Sequence, residues 1–155
     1  MTDLIIWRHA QAAECSDPLH DAERPLTARG EKQAVRMAGW LDRQLPQGTR
    51  ILVSPALRAA QTVAALARPA RVCPERASGA ALADLLTQVQ PAKHKGHLLL
   101  VGHQPSLGRL AALLLSGSEA DWSVKKGAVW WFSKRSREGR DQTVLRAVMN
   151  PEMLR

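Results

Sequence analysis

Arginine and histidine side chains follow three short apolar segments of the chain, close to where each segment ends. They are Arg8 and His9 after residues 4–7, Arg58 a helical turn beyond the Ser54-Pro55 pair that follows residues 51–53, and His103 after residues 98–101. Such a cationic group would repel itself unless an anion lay within it, and arginine's planar fork suits phosphate oxygens. The combination predicts a pocket for a phosphate group or a similar anion.

The three apolar segments are predicted to be parallel β-strands at the centre of a sheet. Residues 4–7, 51–53 and 98–101 are almost continuously apolar, which is typical of strands that helices cover on both faces. In open α/β sheets, ligands bind beyond the carboxyl ends of the strands. The arginines and histidines would therefore meet at one edge of the sheet, although they lie far apart in the sequence.

A helical pattern follows each strand. The predicted starts are Thr27 as an N-cap, Ser54 and Pro55 as an N-cap and first-turn pair, and Pro105. The expected buried stripes are Ala34, Ala38, Leu41 and Leu45 in the first helix (residues 28–45), Leu57, Ala60, Val63, Ala64 and Ala67 in the second, and Leu107, Leu110, Ala111 and Leu114 in the third.

The C-terminal part of the chain is predicted to form a β-hairpin. Residues 128–132 and 143–149 have strand patterns, and the Glu-Gly pair at 138–139 is a turn signal between them. Adjacent residues of a strand point to opposite faces, so Trp130 and Trp131 should not share a face. One of them is expected in the core and the other at the surface or in an interface.

Length and composition favour one globular unit. The 155 residues suit one compact domain, and 45% hydrophobic with 23% charged residues is ordinary for a folded protein. A further short helix is expected over residues 80–89. The predicted fold is α/β: a single three-layer α/β/α domain over residues 1–155, with a mostly parallel central sheet and a C-terminal hairpin.

The remaining bulk features limit location and partners. No apolar stretch approaches the roughly 20 residues that cross a bilayer, and no signal-peptide pattern is present, so a cytoplasmic location is expected. Cys15 and Cys73 are expected to be free thiols, and the histidines lack metal-ligand spacing, so no metal is expected. The net charge of +8 favours acidic partners such as phosphorylated proteins, nucleotides or nucleic acid.

Four blocks, in order along the chain, resemble those of the histidine phosphatase superfamily, whose signature is Arg-His-Gly near the N-terminus. The blocks are Arg8-His9-Ala10, Arg24-Pro25-Leu26-Thr27 followed by Gly30 and Gln33, residues 54–62, and Gly102-His103-Gln104-Pro105. The short length and the second block are most similar to bacterial phosphohistidine phosphatases of the SixA type. Ala10 stands where the signature has glycine, a small-for-small change that keeps room near the pocket.

The resemblance implies a hydrolase that works through a covalent intermediate and needs no cofactor. Neutral His9 would attack phosphorus, and water would hydrolyse the resulting phosphohistidine. Arg8, Arg24 and Arg58 would hold the phosphoryl oxygens. His103, protonated near the dianion, would stabilise the charge that develops there. The implied partner is a phosphorylated substrate, with a phosphohistidine-bearing signalling protein favoured; a membrane is not expected as partner, and nucleic acid is disfavoured.

Other functions stay open from the sequence. The chain could be a small-metabolite phosphatase or a mutase of the same superfamily, or a basic module that binds phosphorylated partners or nucleic acid without turnover. A mutase would need a proton donor and room for a phosphorylated acid. Glu75 is the available carboxylate in the region where larger family members place that donor, and it is not assigned to the site.

Individual residues also have structural alternatives. Arg24 could form a surface ion pair with Asp21 or Glu23 instead of binding phosphate. Gln61 and Thr62 are expected to be packing and helix residues and not phosphate ligands.

Overall fold

The structure is a computed structural model that describes residues 2–73 and 96–155. Within these residues the chain forms six strands, three helices and two short 3-10 helices. The strands are β1 (Thr2–Arg8), β2 (Arg50–Val53), β3 (Arg71–Val72), β4 (Gly96–Gly102), β5 (Val129–Arg137) and β6 (Arg140–Met149); the helices are α1 (Ala28–Gln44), α2 (Leu57–Ala64) and α3 (Ser106–Ser116); the 3-10 helices are Pro18–Glu23 and Pro151–Met153.

All six strands join in one sheet with the order β3-β2-β4-β1-β5-β6. The first four are mutually parallel, whereas β5 pairs antiparallel with β1 and forms a hairpin with β6. In the parallel register, Arg8 pairs with Gly102 and Val53 pairs with Val101, so the central strands end level with one another. The residues that follow these strands therefore meet at one edge of the sheet.

Apolar side chains cover both faces of the sheet. On one face, Ile5, Val53 and Val101 pack with residues of α1 and α2; on the other, Leu4 and Leu100 pack with residues of α3. Alternate residues of β1 thus enter two separate core clusters, as the pleat of a strand requires. The three-layer α/β/α prediction with a mostly parallel sheet is confirmed.

The predictions for α1 and α3 are also confirmed. The Thr27 side chain accepts a hydrogen bond from Gly30 N (3.0 Å) and caps α1. The four residues of its predicted stripe are all buried, and so are three of the four in α3, where Leu114 is partly buried against the same cluster. Pro105 is the N-cap residue of α3. None of the helices in the described ranges is long and apolar enough to cross a membrane.

The prediction for the start and buried face of the second helix is wrong. Helix α2 begins at Leu57 with Ala56 as N-cap, whereas Ser54 directly follows β2 and donates its backbone N–H to Val101 O (3.1 Å). Leu57 is exposed, and of the predicted stripe only Val63 is buried. The observed buried face is shifted by one residue from the predicted one. Arg58 is buried at the edge of the sheet, so the side of the helix that carries it faces the protein interior.

The C-terminal hairpin is confirmed, with longer strands than the pattern predicted. Gly139 lies in the turn with a φ of 76°, a left-handed conformation that glycine adopts without strain. Trp131 is buried in the core cluster that contains residues of α1 and α2. Trp130 is partly buried and packs against the cluster on the other face of the sheet. Cys15 and Cys73 are not joined by a disulfide bond. The predicted helix over residues 80–89 and Glu75 lie outside the described residues.

Candidate active site

The carboxyl ends of the central strands frame an open pocket with a volume of ≈ 160 Å³. Its lining contains all five residues that the sequence predicted to meet, and three others. The predicted residues are Arg8, His9, Arg24, Arg58 and His103, and the others are Ala12, Gln104 and Lys126. Four cationic side chains and two histidines thus surround one small space, which suits an anion.

His9 follows β1 and is buried, with its backbone N–H bound to Gly102 O (3.0 Å). Its Nδ1 lies 2.8 Å from Ala10 O. A carbonyl oxygen only accepts, so Nδ1 carries the proton and Nε2 keeps its lone pair. Burial lowers the pKa of His9 to about 3, and the charges of Arg58 and Arg8 act in the same direction. At neutral pH the side chain is therefore an uncharged imidazole with Nε2 free to attack.

Ala10 and Thr62 join the end of β1 to α2. Ala10 is buried against Leu26 and Ala34. Its methyl group fills space that the glycine of the signature would leave empty. Ala10 N donates to Thr62 Oγ1 (3.0 Å), which in turn donates to Arg58 O (2.7 Å). Thr62 thereby fixes the His9 segment relative to Arg58. Thr62 does not belong to the pocket lining, and this positioning contact was not predicted from sequence.

The second block is tied to α2 in a similar way. Gln61 Oε1 accepts from Leu26 N (2.7 Å), and Gln33 Oε1 accepts from Gln11 N (3.0 Å). These side chains satisfy backbone groups of the long loop that follows β1. Gly30 lets α1 approach the same loop, since a Cβ there would overlap with Gln11 O.

The three arginines are held by protein groups on one side and present nitrogens to the pocket on the other. Arg8 Nη1 donates to Val124 O (2.8 Å), and Arg58 Nη1 donates to Asp21 O (2.8 Å). Arg58 Nη2 also donates to Asp21 Oδ2 (3.2 Å). Arg24 Nε lies 3.1 Å from Asp21 Oδ1, an ion pair too bent to be a hydrogen bond. The alternative that Arg24 pairs with Asp21 is thus correct, and Arg24 lines the pocket as well.

His103 follows β4 and faces His9, with 5.2 Å between the ring centroids. Its Nε2 lies 2.6 Å from Ser54 Oγ. Burial lowers the pKa of His103 to about 4; Arg58 adds to this effect and Asp21 opposes it. Together, the protein's own groups favour neutral His103. The protonated form was predicted beside a phosphate dianion, and it stays a prediction. The negative charge of a bound phosphate would act in the same direction as that of Asp21 and favour protonation.

Four buried nitrogens around the pocket have no hydrogen-bond partner in the protein. In the described part of the chain, these four are all the buried side-chain nitrogen and oxygen atoms without one: Arg8 Nε, Arg24 Nε, Arg58 Nε and His103 Nδ1. A buried donor without an acceptor costs roughly 1–3 kcal/mol, so their convergence needs an explanation. Arg24 Nε already faces Asp21 Oδ1 at 3.1 Å, and a phosphoryl group in the pocket would supply acceptors to the other three.

The segment before β5 completes the site and was not predicted to do so. Gly127 N donates to Arg8 O (3.1 Å) and His9 O (3.0 Å), which brings Lys126 to the pocket rim. Gln104 Nε2 donates to Trp122 O (2.7 Å) and fixes the start of the same segment. The Lys-Lys-Gly sequence before a predicted strand gave no signal of these contacts, because they run through backbone atoms.

The site chemistry suits an anion. Its charged side chains are cationic apart from Asp21, and the residues that the structure describes include no group of three or more His, Cys, Asp or Glu side chains arranged to hold a metal ion. Phosphate oxygens match guanidinium donors in geometry as well as charge.

Comparisons with known proteins agree with this geometry. The model of the histidine phosphatase superfamily (branch 1) matches residues 4–85. The phosphohistidine phosphatase SixA of Escherichia coli (strain K12) is 34% identical over 122 residues, which cover 74% of each chain. The protein Rv1276c of Mycobacterium tuberculosis (strain H37Rv) is 38% identical over 120 residues, covering 76% of this chain and 75% of that protein.

Solved structures extend the similarity to nearly the whole chain. The protein histidine phosphatase SixA complexed with tungstate has a TM-score of 0.77 at 27% identity, covering 97% of this chain and 98% of the other. A SixA structure from Agrobacterium tumefaciens has a TM-score of 0.77 at 21% identity, covering 97% and 99%, and shows the same fold. The chain therefore belongs to branch 1 of the histidine phosphatase superfamily, and it is a phosphatase.

Proposed function

We propose that this protein is a protein phosphohistidine phosphatase that passes the phosphoryl group through His9. The observation that carries the proposal is the juxtaposition of one free imidazole lone pair with three buried nitrogens that have no hydrogen-bond partner in the protein, Arg8 Nε, Arg58 Nε and His103 Nδ1. The lone pair is a nucleophile, and the donors match the oxygens of a phosphoryl group. A pocket that only bound phosphate would have no need of a nucleophile kept neutral by burial.

In the first step, Nε2 of His9 forms a bond to phosphorus while the bond to the leaving group breaks. Arg8, Arg24 and Arg58 hold the phosphoryl oxygens, and Nδ1 of His103 donates to one of them. The proton on Nδ1 of His9 stays on that nitrogen, hydrogen-bonded to the Ala10 carbonyl, so the phosphorylated ring carries a positive charge that this carbonyl stabilises.

In the second step, water attacks phosphorus and the bond to His9 breaks. Because Nδ1 has kept its proton, His9 leaves as a neutral imidazole, which is a good leaving group that needs no further acid. Inorganic phosphate is released and the starting form of His9 is restored. The cycle requires no cofactor.

A phosphohistidine on another protein fits this machinery for the same reason. Its ring, once protonated on the far nitrogen, departs as neutral imidazole, whereas a serine alkoxide requires a positioned acid. The pocket is open, with Lys126 and Arg24 at its rim, and can receive a residue presented on a protein surface. The name of the Escherichia coli relative, phosphohistidine phosphatase SixA, supports this choice. A cytoplasmic signalling protein is the proposed partner.

The experiment is a transfer of labelled phosphate from a phosphohistidine-bearing protein to this chain, with the two separated on a gel. The label should appear on the parent as an acid-labile, base-stable phosphohistidine. It should be absent from His9→Ala, which keeps the arginines and should still bind inorganic phosphate. His20→Ala, a histidine of the loop outside the pocket lining, serves as control and should label like the parent. Unchanged labelling of His9→Ala would reject His9 as the nucleophile.

A further inference from the structure

One carboxylate lies among the pocket arginines. Asp21 is in the 3-10 helix Pro18–Glu23, and its side chain is about half exposed. Its two carboxylate oxygens lie 3.1 Å from Arg24 Nε and 3.2 Å from Arg58 Nη2. A negative charge at this place weakens the attraction of the pocket for phosphate, so its presence requires a compensating role.

The contacts of Asp21 with Arg58 involve one particular edge of the guanidinium group. Asp21 O accepts from Nη1 (2.8 Å) and Asp21 Oδ2 accepts from Nη2 (3.2 Å), which together occupy the outer fork formed by the two terminal nitrogens. The remaining fork consists of Nε and the second hydrogen of Nη2. Nε is one of the four buried nitrogens without a partner. Asp21 therefore leaves free the inner edge of Arg58, the edge that can hold two phosphate oxygens.

Asp21 is itself held independently of α2. Asp17 Oδ1 accepts from Leu19 N (3.0 Å) and caps the 3-10 helix, and Asp21 O accepts from Arg24 N (3.2 Å). The anchor for Arg58 thus belongs to a different element from Arg58 itself. Because long side chains lose rotamer freedom when they bind, an anchor that already fixes the guanidinium reduces the entropy lost at the phosphate step.

We propose that Asp21 is a positioning residue, which clamps the outer fork of Arg58 and the Nε of Arg24 so that both guanidinium groups are oriented toward the phosphoryl oxygens. This inference rests on the proposed function and adds to it a residue that does not itself touch substrate. The favourable orientation outweighs the repulsion between the carboxylate and phosphate. Removal of the carboxylate should therefore weaken catalysis, although it makes the pocket more positive.

The test compares Asp21→Asn with Glu23→Gln in the full chain. Both substitutions remove one negative charge from the same 3-10 helix, but the Glu23 carboxylate pairs with His20 and forms no ion pair with a pocket arginine. With an aryl phosphate as substrate and inorganic phosphate as inhibitor, Asp21→Asn should lower kcat/KM about tenfold, mainly in kcat, and raise the Ki of phosphate. Glu23→Gln should match the parent, and thermal unfolding should be the same in both variants. Asp21→Glu should recover part of the loss.

A double-variant cycle separates orientation from charge. In an Arg58→Gln background, Asp21→Asn should change kcat/KM less than twofold, because the group that it positions is gone. If Arg58→Gln does not fold, the comparison of Asp21→Asn with Glu23→Gln decides alone. Higher activity or tighter phosphate binding in Asp21→Asn would overturn the inference and make Asp21 a competing anion. A parent that neither hydrolysed the aryl phosphate nor bound phosphate would instead reject the proposed function, and this inference with it.

Discussion

The state of His9 is set by two neighbours of different kinds. The Ala10 carbonyl fixes which nitrogen carries the proton, and burial beside Arg8 and Arg58 excludes a second proton. The two effects act together, because a proton on Nε2 would remove the lone pair and also place a positive charge among the guanidinium groups. The arginines thus add to the effect of burial in keeping His9 in the neutral form that the proposed mechanism requires.

Because His9 and His103 are buried in the neutral form, the free energy of unfolding should fall as the pH is lowered. In the unfolded chain the imidazole takes up a proton near its ordinary pKa of 6.5, whereas in the folded protein the pKa of His9 is about 3 and that of His103 about 4. Above pH 6.5 both histidines are neutral in the folded and in the unfolded protein, so they do not change the free energy of unfolding. Below it, each histidine lowers the free energy of unfolding by up to about 1.4 kcal/mol per pH unit.

Urea unfolding between pH 7 and pH 5 measures this effect. The parent should lose stability as the pH falls, and His9→Gln, which cannot take up that proton, should lose clearly less over the same interval. Equal losses in the two proteins would mean that His9 is not held neutral by the fold.

Residue types and their positions after the strands were sufficient to predict which side chains line the pocket, but not how each is oriented. Arg8, His9 and Arg58 were identified because charged residues directly beyond buried strands are informative. Their orienting partners are the backbone carbonyls of Val124, Ala10 and Asp21, which every residue type possesses. No sequence pattern distinguishes one carbonyl from another, so these contacts could not be predicted.

At the scale of elements, close packing of helix α3 against the segment before β5 fixes the position of Arg8. Gly108 lies against Trp122 O, where a Cβ would overlap with that oxygen, and Gly108 N donates to Gln104 Oε1 (2.8 Å). The segment that leaves Trp122 reaches Val124, whose carbonyl binds Arg8. The separation between helix and segment therefore affects the position of Arg8, which we propose binds phosphate.

Gly108→Ala should therefore destabilise the protein by about 2 kcal/mol, because neither backbone can move away without losing hydrogen bonds. It should also lower kcat/KM, since Arg8 loses its anchor. Gly39→Ala is the matched control: at Gly39, a helical glycine of α1, a Cβ would meet only Arg43 Nη1 at an ordinary contact distance of 3.9 Å, so alanine should be neutral or stabilise by up to about 1 kcal/mol. Differential scanning calorimetry and a chromogenic phosphatase assay check both effects. Equal stability of the two variants would contradict the packing argument.

Helix α2 shows where hydrophobic periodicity does not predict the buried face of a helix. The predicted face of α2 followed its aliphatic residues, yet the helix buries Arg58 and Thr62. Both have polar partners inside the protein, so their burial does not leave unsatisfied groups except at the pocket itself. Hydrophobic periodicity assumes that polar side chains face water, and this assumption is wrong for a helix that starts at a binding site.

At the scale of the whole molecule, the central strands and the hairpin were predictable, but the strand order was not. The strands β1, β2 and β4 could be predicted from their apolar runs, whereas β3 has two residues and is too short to show a hydrophobic pattern. That β4 lies between β1 and β2 follows from tertiary packing, which no single segment encodes. The order matters for function, because it places His103 between the segments that carry His9 and Arg58.

The charge and openness of the molecule lead to a prediction about substrates. The chain carries a net charge of +8, and the pocket opens to solvent with Lys126 at its rim. A phosphohistidine on a protein can supply its own leaving-group proton, so kcat/KM should be higher on a phosphohistidine protein than on a matched phosphoserine peptide. Equal or greater efficiency on phosphoserine, with a large loss in Glu75→Gln, would show that the enzyme has a general acid.

The contacts that assemble the pocket join distant parts of the chain. Arg8 meets Val124 across 116 positions, Ser54 meets His103 across 49, and Asp21 meets Arg58 across 37. Each of these loops must close before its contact forms, and the longest one carries the highest entropic cost. A partly folded chain with native helices would thus hold scattered arginines and no phosphate site. Recovery of enzymatic turnover during refolding would follow the last of these closures and lag behind helix formation.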